Sequence, residues 1–354
     1  MLVSVCLPVF NGAKFLPEAI KSVLAQSHRE FELLIADDGS SDGSWEIINS
    51  LAASDQRIKV WRNHERLGLF GNYNRTIGSA TGEYIKPFAQ DDILNPNALE
   101  SMVRALRENE TASLVASGRN VLSESSGDLY GFGVGENGSN KKEEAADKFQ
   151  SPVEITGESN EGHYAPLSRG LNPGKLVVLK CLAQYRNLVG EPVTVMYRAR
   201  HKEEQFSRDY RSLGDLELWL RLLSFGDLYY IPEPLVHFRQ HEGSRTSELL
   251  ADIDWVLDFP RLSREYLADL SRLGIDRTSY CVRFLELAAP LVEKYASTDS
   301  DYINGLPPYK ELAYYMLMRL PSALNGEANY KSVLKSTSWR VTKPLRMFRK
   351  RLEK

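Results

Sequence analysis

Short apolar runs alternate with helix-spaced apolar positions through the N-terminal third of the chain. Val3 to Leu7 suits a strand buried on both faces, and Pro8 ends it. From Lys14 to Gln26, apolar Phe15, Ala19, Ile20, Val23 and Leu24 recur at helical spacing. Glu32 to Ala36 predicts a second strand. Ser41 or Asp42 then caps a helix through Trp45, Ile47, Ile48 and Leu51. Ile58 to Trp61, Tyr84 to Phe88 and Leu114 to Ala116 predict three more strands. Helices over Leu69 to Ala80 and from Pro96 through Leu106 separate them. This alternation predicts an α/β fold with a mainly parallel sheet flanked by helices. Ligands of such sheets sit at the carboxyl ends of the strands, which directs attention to the loops after strands one, two and four.

From residue 123 to 161 the composition turns to Gly, Ser, Asn, Glu and Lys, which predicts a mobile insertion. Gly131-Phe132-Gly133-Val134-Gly135 inside it is no dinucleotide fingerprint, because neither a strand before it nor a helix after it is predicted. Order resumes with a helix over Leu176 to Tyr185, a strand over Thr194 to Tyr197 and a helix over Asp215 to Phe225. Leu228 to Arg239 is strand-like, interrupted by Pro232 and Pro234. The expected organisation is a catalytic domain over 1–245, a helical C-terminal region over 246–330 and a tail over 331–354.

The composition is that of an ordinary globular protein, with 42 % hydrophobic and 26 % charged residues, and this excludes wholesale disorder. A net charge of -3 gives the chain no nucleic-acid character. Residues 331–354 depart from that average, with nine Lys/Arg against one Glu. Val341, Leu345, Phe348 and Leu352 make one helical face there, with Lys343, Arg346, Arg349, Lys350 and Arg351 around it. The pattern predicts an amphipathic basic helix lying on an anionic membrane surface. No signal peptide or membrane-spanning run is expected, so the chemistry is placed in the cytoplasm, peripheral on the inner face of the cell membrane. Cys6, Cys181 and Cys281 are too widely spaced for a metal site and read as reduced, buried thiols.

Three acidic clusters fall at element boundaries: Asp37-Asp38-Gly39-Ser40-Ser41-Asp42, Gln90-Asp91-Asp92, and Gly214-Asp215-Leu216-Glu217. A carboxylate at a strand end suits Mn²⁺ or Mg²⁺, which takes one or two carboxylates and completes its shell with phosphate oxygens and water. Such an ion neutralises the charge growing on a departing diphosphate. A neighbouring carboxylate with no metal duty can take the proton of an attacking hydroxyl. Arg75 and Lys86 are further candidates as phosphate partners. The plainer alternatives are that Asp38 or Asp42 only caps the following helix and that Glu217 is a solvated helix residue.

Val5 to Gly12, Leu16 to Gln26 and Ile35 to Asp42 resemble the opening of the family 2 glycosyltransferases, which have the GT-A fold. Gly82 to Lys86 leading to Gln90-Asp91-Asp92 is similar to that family's approach to its metal motif. Gly190-Glu191-Pro192, Gly214-Asp215 with Leu218 to Leu222, Ile231 to Pro234 and Phe238 to Ser244 resemble the order in one bacterial branch. The resemblance implies an inverting, metal-dependent, non-processive glycosyltransferase. Its donor would be a nucleoside-diphosphate sugar, UDP-sugars foremost, and its acceptor a glycan or lipid-linked glycan in bacterial surface polysaccharide or lipopolysaccharide synthesis. By position, Pro8, Val9 and Phe10 would line the nucleobase pocket, with Asp37 on the base's ring N–H and Asp38 beside it. Asp92 would bind the metal, Asp91 the ribose or the metal, and His241 the diphosphate or the metal. Glu191 would hold acceptor or donor sugar, and Asp215 would be the base. The family motif is written Asp-x-Asp, and Gln90 stands at its first position, which leaves Asp92 as the main expected metal ligand. The competing readings are a nucleotidyltransferase, which wants a glycine-rich basic loop after strand one, and a nucleotide-sugar- or carbohydrate-binding protein without transferase activity.

Overall fold

The computed structural model describes residues 1–123, 129–132 and 167–241, together with helical positions at 258, 259, 261–263, 266, 280 and 284. Ten strands form one mixed sheet: β1 (Val3–Val9), β2 (Phe31–Asp37), β3 (Ile58–Arg62), β4 (Tyr84–Pro87), β5 (Ile93–Leu94), β6 (Ala112–Ser123), β7 (Leu129–Phe132), β8 (Gly170–Asn172), β9 (Val195–Arg198) and β10 (Asp227–Gln240). The helices are α1 (Leu16–Leu24), α2 (Ser44–Ser54), α3 (Gly68–Gly78), α4 (Ala98–Glu108), α5 (Gly174–Ala183) and α6 (Gly214–Leu222).

The strand order is β3-β2-β1-β4-β9-β6-β10-β5, with β7 on β6 and β8 on β10. β3, β2, β1 and β4 are mutually parallel, as the apolar runs predict. β9 enters antiparallel between β4 and β6, and β6 and β10 are parallel again. The central strands are covered on both faces. Val3, Val5, Leu7 and Val9 join a core with Leu16, Ile20 and Val23 of α1 and Leu99, Met102 and Leu106 of α4. On the opposite face, Cys6 meets Thr76 of α3, and burial pushes its thiol far above the ordinary range.

Several details differ from expectation: β1 does not end at Pro8 but runs on to Val9, paired with Asp37 of β2. Leu129–Phe132, inside the expected mobile insertion, is a strand paired antiparallel with Leu122 to Arg119 of β6. β10 runs through Pro232 and Pro234, and its register against β6 shifts at Ile231/Pro234 and Pro234/Val236, where the prolines need give no ladder hydrogen bond. Glu217 is buried and ion-paired with Arg221 rather than solvated. The rest of 123–161, and the expected helical region of 246–330 and basic tail of 331–354 apart from the helical positions named above, lie outside the described residues.

The chain divides into two compact units, one of residues 1–209 with 214–241 and one of residues 210–213 with 242–354. Within the second, the Asp258 carboxylate accepts the backbone N–H groups of Arg211, Ser212 and Leu213 at 2.9, 2.7 and 3.0 Å. Among the described residues no helix is long and apolar enough to cross a membrane.

Candidate active site

The loops at the carboxyl ends of β1 and β2 are stitched together by short polar side chains. Asn11, Gly12 and Ala13 donate their backbone N–H groups to Ser40 Oγ, Ser44 Oγ and Asp42 Oδ2, each at 2.9 Å. Asn11 has φ +48° and returns a bond by accepting the Ser41 N–H. With its amides committed in this way, the loop after β1 is no phosphate cradle, which counts further against a nucleotidyltransferase. Asp42 also bonds Ser44 N and Oγ, but the cap of α2 is Gly43, at φ +92°, and neither Ser41 nor Asp42 caps the helix as expected.

Pro8 and Val9 are buried in β1, opposite Ala36 and Asp37 of β2, and Phe10 emerges half-buried at the tip. Asp37 is fully buried, accepts the Ser40 N–H at 3.2 Å and pairs with Arg62 at 3.2 Å. Asp38 accepts from Asn63 Nδ2, Leu67 N and Gly68 N at 2.8, 2.8 and 2.9 Å. The carboxylate thus satisfies the N-terminal amides of α3 through space, a distant form of helix capping. The loop it holds carries Arg66, whose guanidinium lies 3.8 Å from the centre of the Phe10 ring.

Beyond β4, Gln90 bonds both ways to Phe10: its Oε1 accepts the Phe10 N–H at 2.9 Å and its Nε2 donates to the Phe10 carbonyl at 3.0 Å. This is the physical account of glutamine at the first motif position, since a carboxylate there would have no hydrogen for the carbonyl. Asp92 is 1 % exposed and accepts the Arg239 N–H at 2.9 Å. Burial pushes its carboxyl well above the usual range and Asp91 adds to this; the Arg239 N–H opposes it, Glu191 raises it further and Lys86 lowers it. Asp91 Oδ2 lies 3.1 Å from His241 Nε2, and that ring packs on Phe15 at 4.6 Å. Arg239 closes this corner, bonding the Asp91 carbonyl and Glu18.

Asp215 stands in the first turn of α6. A Cβ at Gly214 would lie 2.5 Å from the Phe70 ring, so only glycine lets α6 begin against α3. Phe206 continues that contact, stacking on Phe70 at 5.4 Å and meeting Trp219 edge-on at 5.9 Å. Asn187 donates to Asp215 Oδ2 at 3.2 Å and to the Gly190 carbonyl at 3.1 Å. The same carbonyl accepts Trp219 Nε1–H at 3.0 Å. Gly190, at φ +109°, turns the chain into Glu191, whose Oε1 pairs with Arg119 at 3.0 Å. Tyr73 is buried and donates its hydroxyl hydrogen to the Phe88 carbonyl at 3.2 Å. Its phenol is raised by burial first, then by the charges of Asp92, Asp91, Cys6 and Asp215.

The two candidate phosphate partners, Lys86 and Arg75, have contrasting surroundings. Lys86 is fully buried, and its ammonium donates to the carbonyls of Pro87, Pro192 and Val193, which leaves it no free hydrogen. Burial lowers it to about 7. Arg75 is exposed in the last turn of α3. Arg66, Arg119 and Asn187 were not anticipated; each acts through a partner distant in sequence.

Among the described residues no group of three or more His, Cys, Asp or Glu is arranged to enclose a metal ion. The donor set fits a cation of another kind, one that brings phosphate and water ligands with it. Asp91, Asp92 and Glu191 crowd negative charge around a buried carboxyl, and a divalent ion would relieve that crowding.

Residues 4–159 match the family model for glycosyl transferase family 2. The chain is 31 % identical over 316 residues to glycosyltransferase GlyG of Streptococcus pneumoniae, covering 88 % of this chain and 94 % of that one. It is 26 % identical over 346 residues to the GalNAc(5)-diNAcBac-PP-undecaprenol beta-1,3-glucosyltransferase of Campylobacter jejuni, covering 96 % and 90 %. Its fold is similar to that of the mannosyltransferase PcManGT of Pyrobaculum calidifontis in complex with GDP-Man and Mn²⁺, with TM-score 0.51, 13 % identity and coverage of 96 % and 85 %. On its sequence, this chain belongs to glycosyl transferase family 2, is a glycosyltransferase, and has the GT-A fold.

Proposed function

We propose that this glycosyltransferase inverts the anomeric centre, moving a sugar from a nucleoside diphosphate to an acceptor hydroxyl in one displacement. The observation that carries this reading is the different character of two acidic centres, one fully buried and one half-buried. Asp92 is buried and crowded by other carboxylates. Asp215 is half-buried and is oriented by Asn187. A cation site and a general base need these two environments.

In this reading Phe10 and Asp37 receive the nucleobase, and Pro8, Val9 and Asp38 shape the strand ends that hold it. Asp92 holds Mn²⁺ or Mg²⁺, with Asp91 and His241 beside it. When bound, the ion supplies Lewis-acid stabilisation of the departing diphosphate. Asp215 takes the proton of the acceptor hydroxyl as its oxygen attacks the anomeric carbon, while Asn187 keeps the carboxylate aimed. Attack opposite the leaving group inverts the configuration. A UDP-sugar is the first donor to test. The PcManGT complex with GDP-Man and Mn²⁺ supports a nucleotide-sugar with a divalent ion. The undecaprenol-linked substrate named for the Campylobacter relative supports a lipid-linked glycan acceptor and a role in surface polysaccharide assembly. Work at the cytoplasmic membrane face, through the basic tail of 331–354, follows from that acceptor and from the tail's charge.

The test is a pair of variants assayed for transfer and for nucleotide binding. Asp215→Asn loses about 10²–10⁴-fold in kcat and keeps nucleotide affinity. Asp92→Asn loses the Mn²⁺-dependent part of that affinity. Full transfer by Asp215→Asn would move the base elsewhere, and nucleotide binding insensitive to Mn²⁺ in the unaltered protein would end the metal reading.

A further inference from the structure

Arg119 lies in β6, opposite Val236 of β10, and pairs through Nη2 with Glu191 Oε1 at 3.0 Å. The side chains are 21 % and 30 % exposed. Each partner holds one buried polar atom with no hydrogen bond: Nε of Arg119 and Oε2 of Glu191. Leaving such atoms unmet is costly, more so for charged groups, so a protein that keeps both has a use for them or fills them with water. The unmet pair is one donor and one acceptor, carried by the two members of one ion pair.

The location narrows the use. Glu191 is close enough to Asp92 to raise its carboxyl. It follows Gly190, whose carbonyl shares the Asn187 amide with Asp215. The pair is therefore tied to both ends of one interval: to Asp92 along β10, from Val236 opposite Arg119 to Arg239, and to Asp215 through Asn187. On the reading proposed above, on which this inference rests, that interval holds the sugar ring, with the diphosphate on one side and the acceptor oxygen on the other.

We propose that Arg119 and Glu191 jointly recognise hydroxyl groups of the transferred sugar. The Arg119 Nε–H donates to one hydroxyl oxygen, and Glu191 Oε2 accepts the hydrogen of its neighbour. A donor-plus-acceptor pair of fixed spacing matches vicinal hydroxyls, which carry both functions, and matches neither a phosphate nor an apolar group. The ion pair between the remaining atoms fixes the spacing, and Lys86 anchors the Pro192 and Val193 carbonyls just behind Glu191. Arg119 thus becomes a specificity-determining residue for the donor sugar.

Calorimetry separates this inference from the reading beneath it. The full chain is titrated with UDP, GDP and dTDP in Mn²⁺, then with the glucose, galactose and N-acetylglucosamine esters of whichever nucleotide binds. In the unaltered protein one ester binds more tightly than its free nucleotide. Arg119→Gln weakens that ester by about 10–100-fold, as expected for a lost charge-assisted hydrogen bond, and leaves the free nucleotide within about twofold; Glu191→Gln, which also removes a charge beside Asp92, weakens the ester by more than it changes the free nucleotide. Retained nucleotide binding also certifies the fold, and Arg119→Lys, which keeps the charge without Nε, serves if Arg119→Gln does not fold. Equal weakening of nucleotide and ester, no weakening of either, or no gain from the sugar in the unaltered protein would overturn the inference while the nucleotide site stands. Failure to bind any of the three nucleotides would overturn the reading beneath it, and the inference with it.

Discussion

Gln90 and Phe10 pair as two strands would, side-chain amide against main-chain amide, at 2.9 and 3.0 Å. The motif's first position therefore fixes the tip of β1, while Asp92, two residues on, faces the charge cluster. Gln90→Glu sets a carboxylate oxygen against the Phe10 carbonyl and adds a charge beside Asp91 and Asp92. A loss of about 1–3 kcal/mol follows from the broken bond and the unmet carbonyl. Urea denaturation should show a lower midpoint with the slope unchanged. Titration with Mn²⁺ and nucleotide should show no tighter binding, although an acid then occupies both motif ends.

Asn187 spans the loop before Gly190 and the first turn of α6, one amide hydrogen-bonding both the Gly190 carbonyl and Asp215. Its own carbonyl accepts the N–H groups of Val189 and Gly190 at 3.1 and 3.0 Å. Asn187→Ala removes the tether on the base and the support of the Glu191 turn together. A reacting group released by about an ångström loses up to about 100-fold in rate. Steady-state kinetics should show kcat falling by about 10–100-fold with nucleotide affinity kept. A change confined to KM would assign Asn187 to binding instead.

The frame of this site was legible wherever periodicity is local. Apolar runs marked β1, β2 and β4, and the acids that follow them announced Asp37, Asp91 and Asp92 because charges rarely end buried strands without reason. Gly214-Asp215 was visible as an acid opening an amphipathic helix. Partnerships across the fold were not visible. Asp38 reads like a cap for the nearby α2, yet its three donors include the amides that open α3, about thirty residues on. Lys86 reads like a phosphate ligand, yet the chain around Pro192 folds over it and supplies two carbonyls, with the Pro87 carbonyl as the third acceptor. Arg119 sits in a strand with no motif around it, and its meaning comes only from Glu191, 72 residues later. Two-residue β5 and three-residue β8 are too short to carry a pattern at all.

Glu32 ties three segments at the end of the sheet away from the site, accepting from Ser4, Lys59 and the backbone and hydroxyl of Thr81. Burial raises its carboxyl, but the bonds from Lys59, Ser4 and Thr81 outweigh burial and hold it at about 2. A folded value below the unfolded one gives stability that is complete above the unfolded value and lost as pH falls through the folded one. The window is therefore about pH 4.5 down to about 2. Glu32→Gln should be less stable than the unaltered protein at pH 7 by about 1–3 kcal/mol. The difference should shrink across that window. A gap that persists unchanged at pH 2 would mean that packing, not charge, sets it.

Lys86 runs the other way. Burial first, opposed by Asp92 and Cys6, brings its folded value down from 10.5 to about 7. Between those values the unfolded chain binds the proton that the folded chain has released, so stability rises with pH across the interval. One proton contributes at most about 1.4 kcal/mol per pH unit. Lys86→Met removes the titrating group and leaves the Pro87, Pro192 and Val193 carbonyls unmet, which lowers stability by an amount that does not depend on pH. Urea unfolding of both proteins at pH 7, 8 and 9 tests the sign directly. The unaltered chain should gain on the variant at each step upward. Parallel pH curves would show that the ammonium keeps its proton in the folded protein, held by its three carbonyls more strongly than burial can expel it.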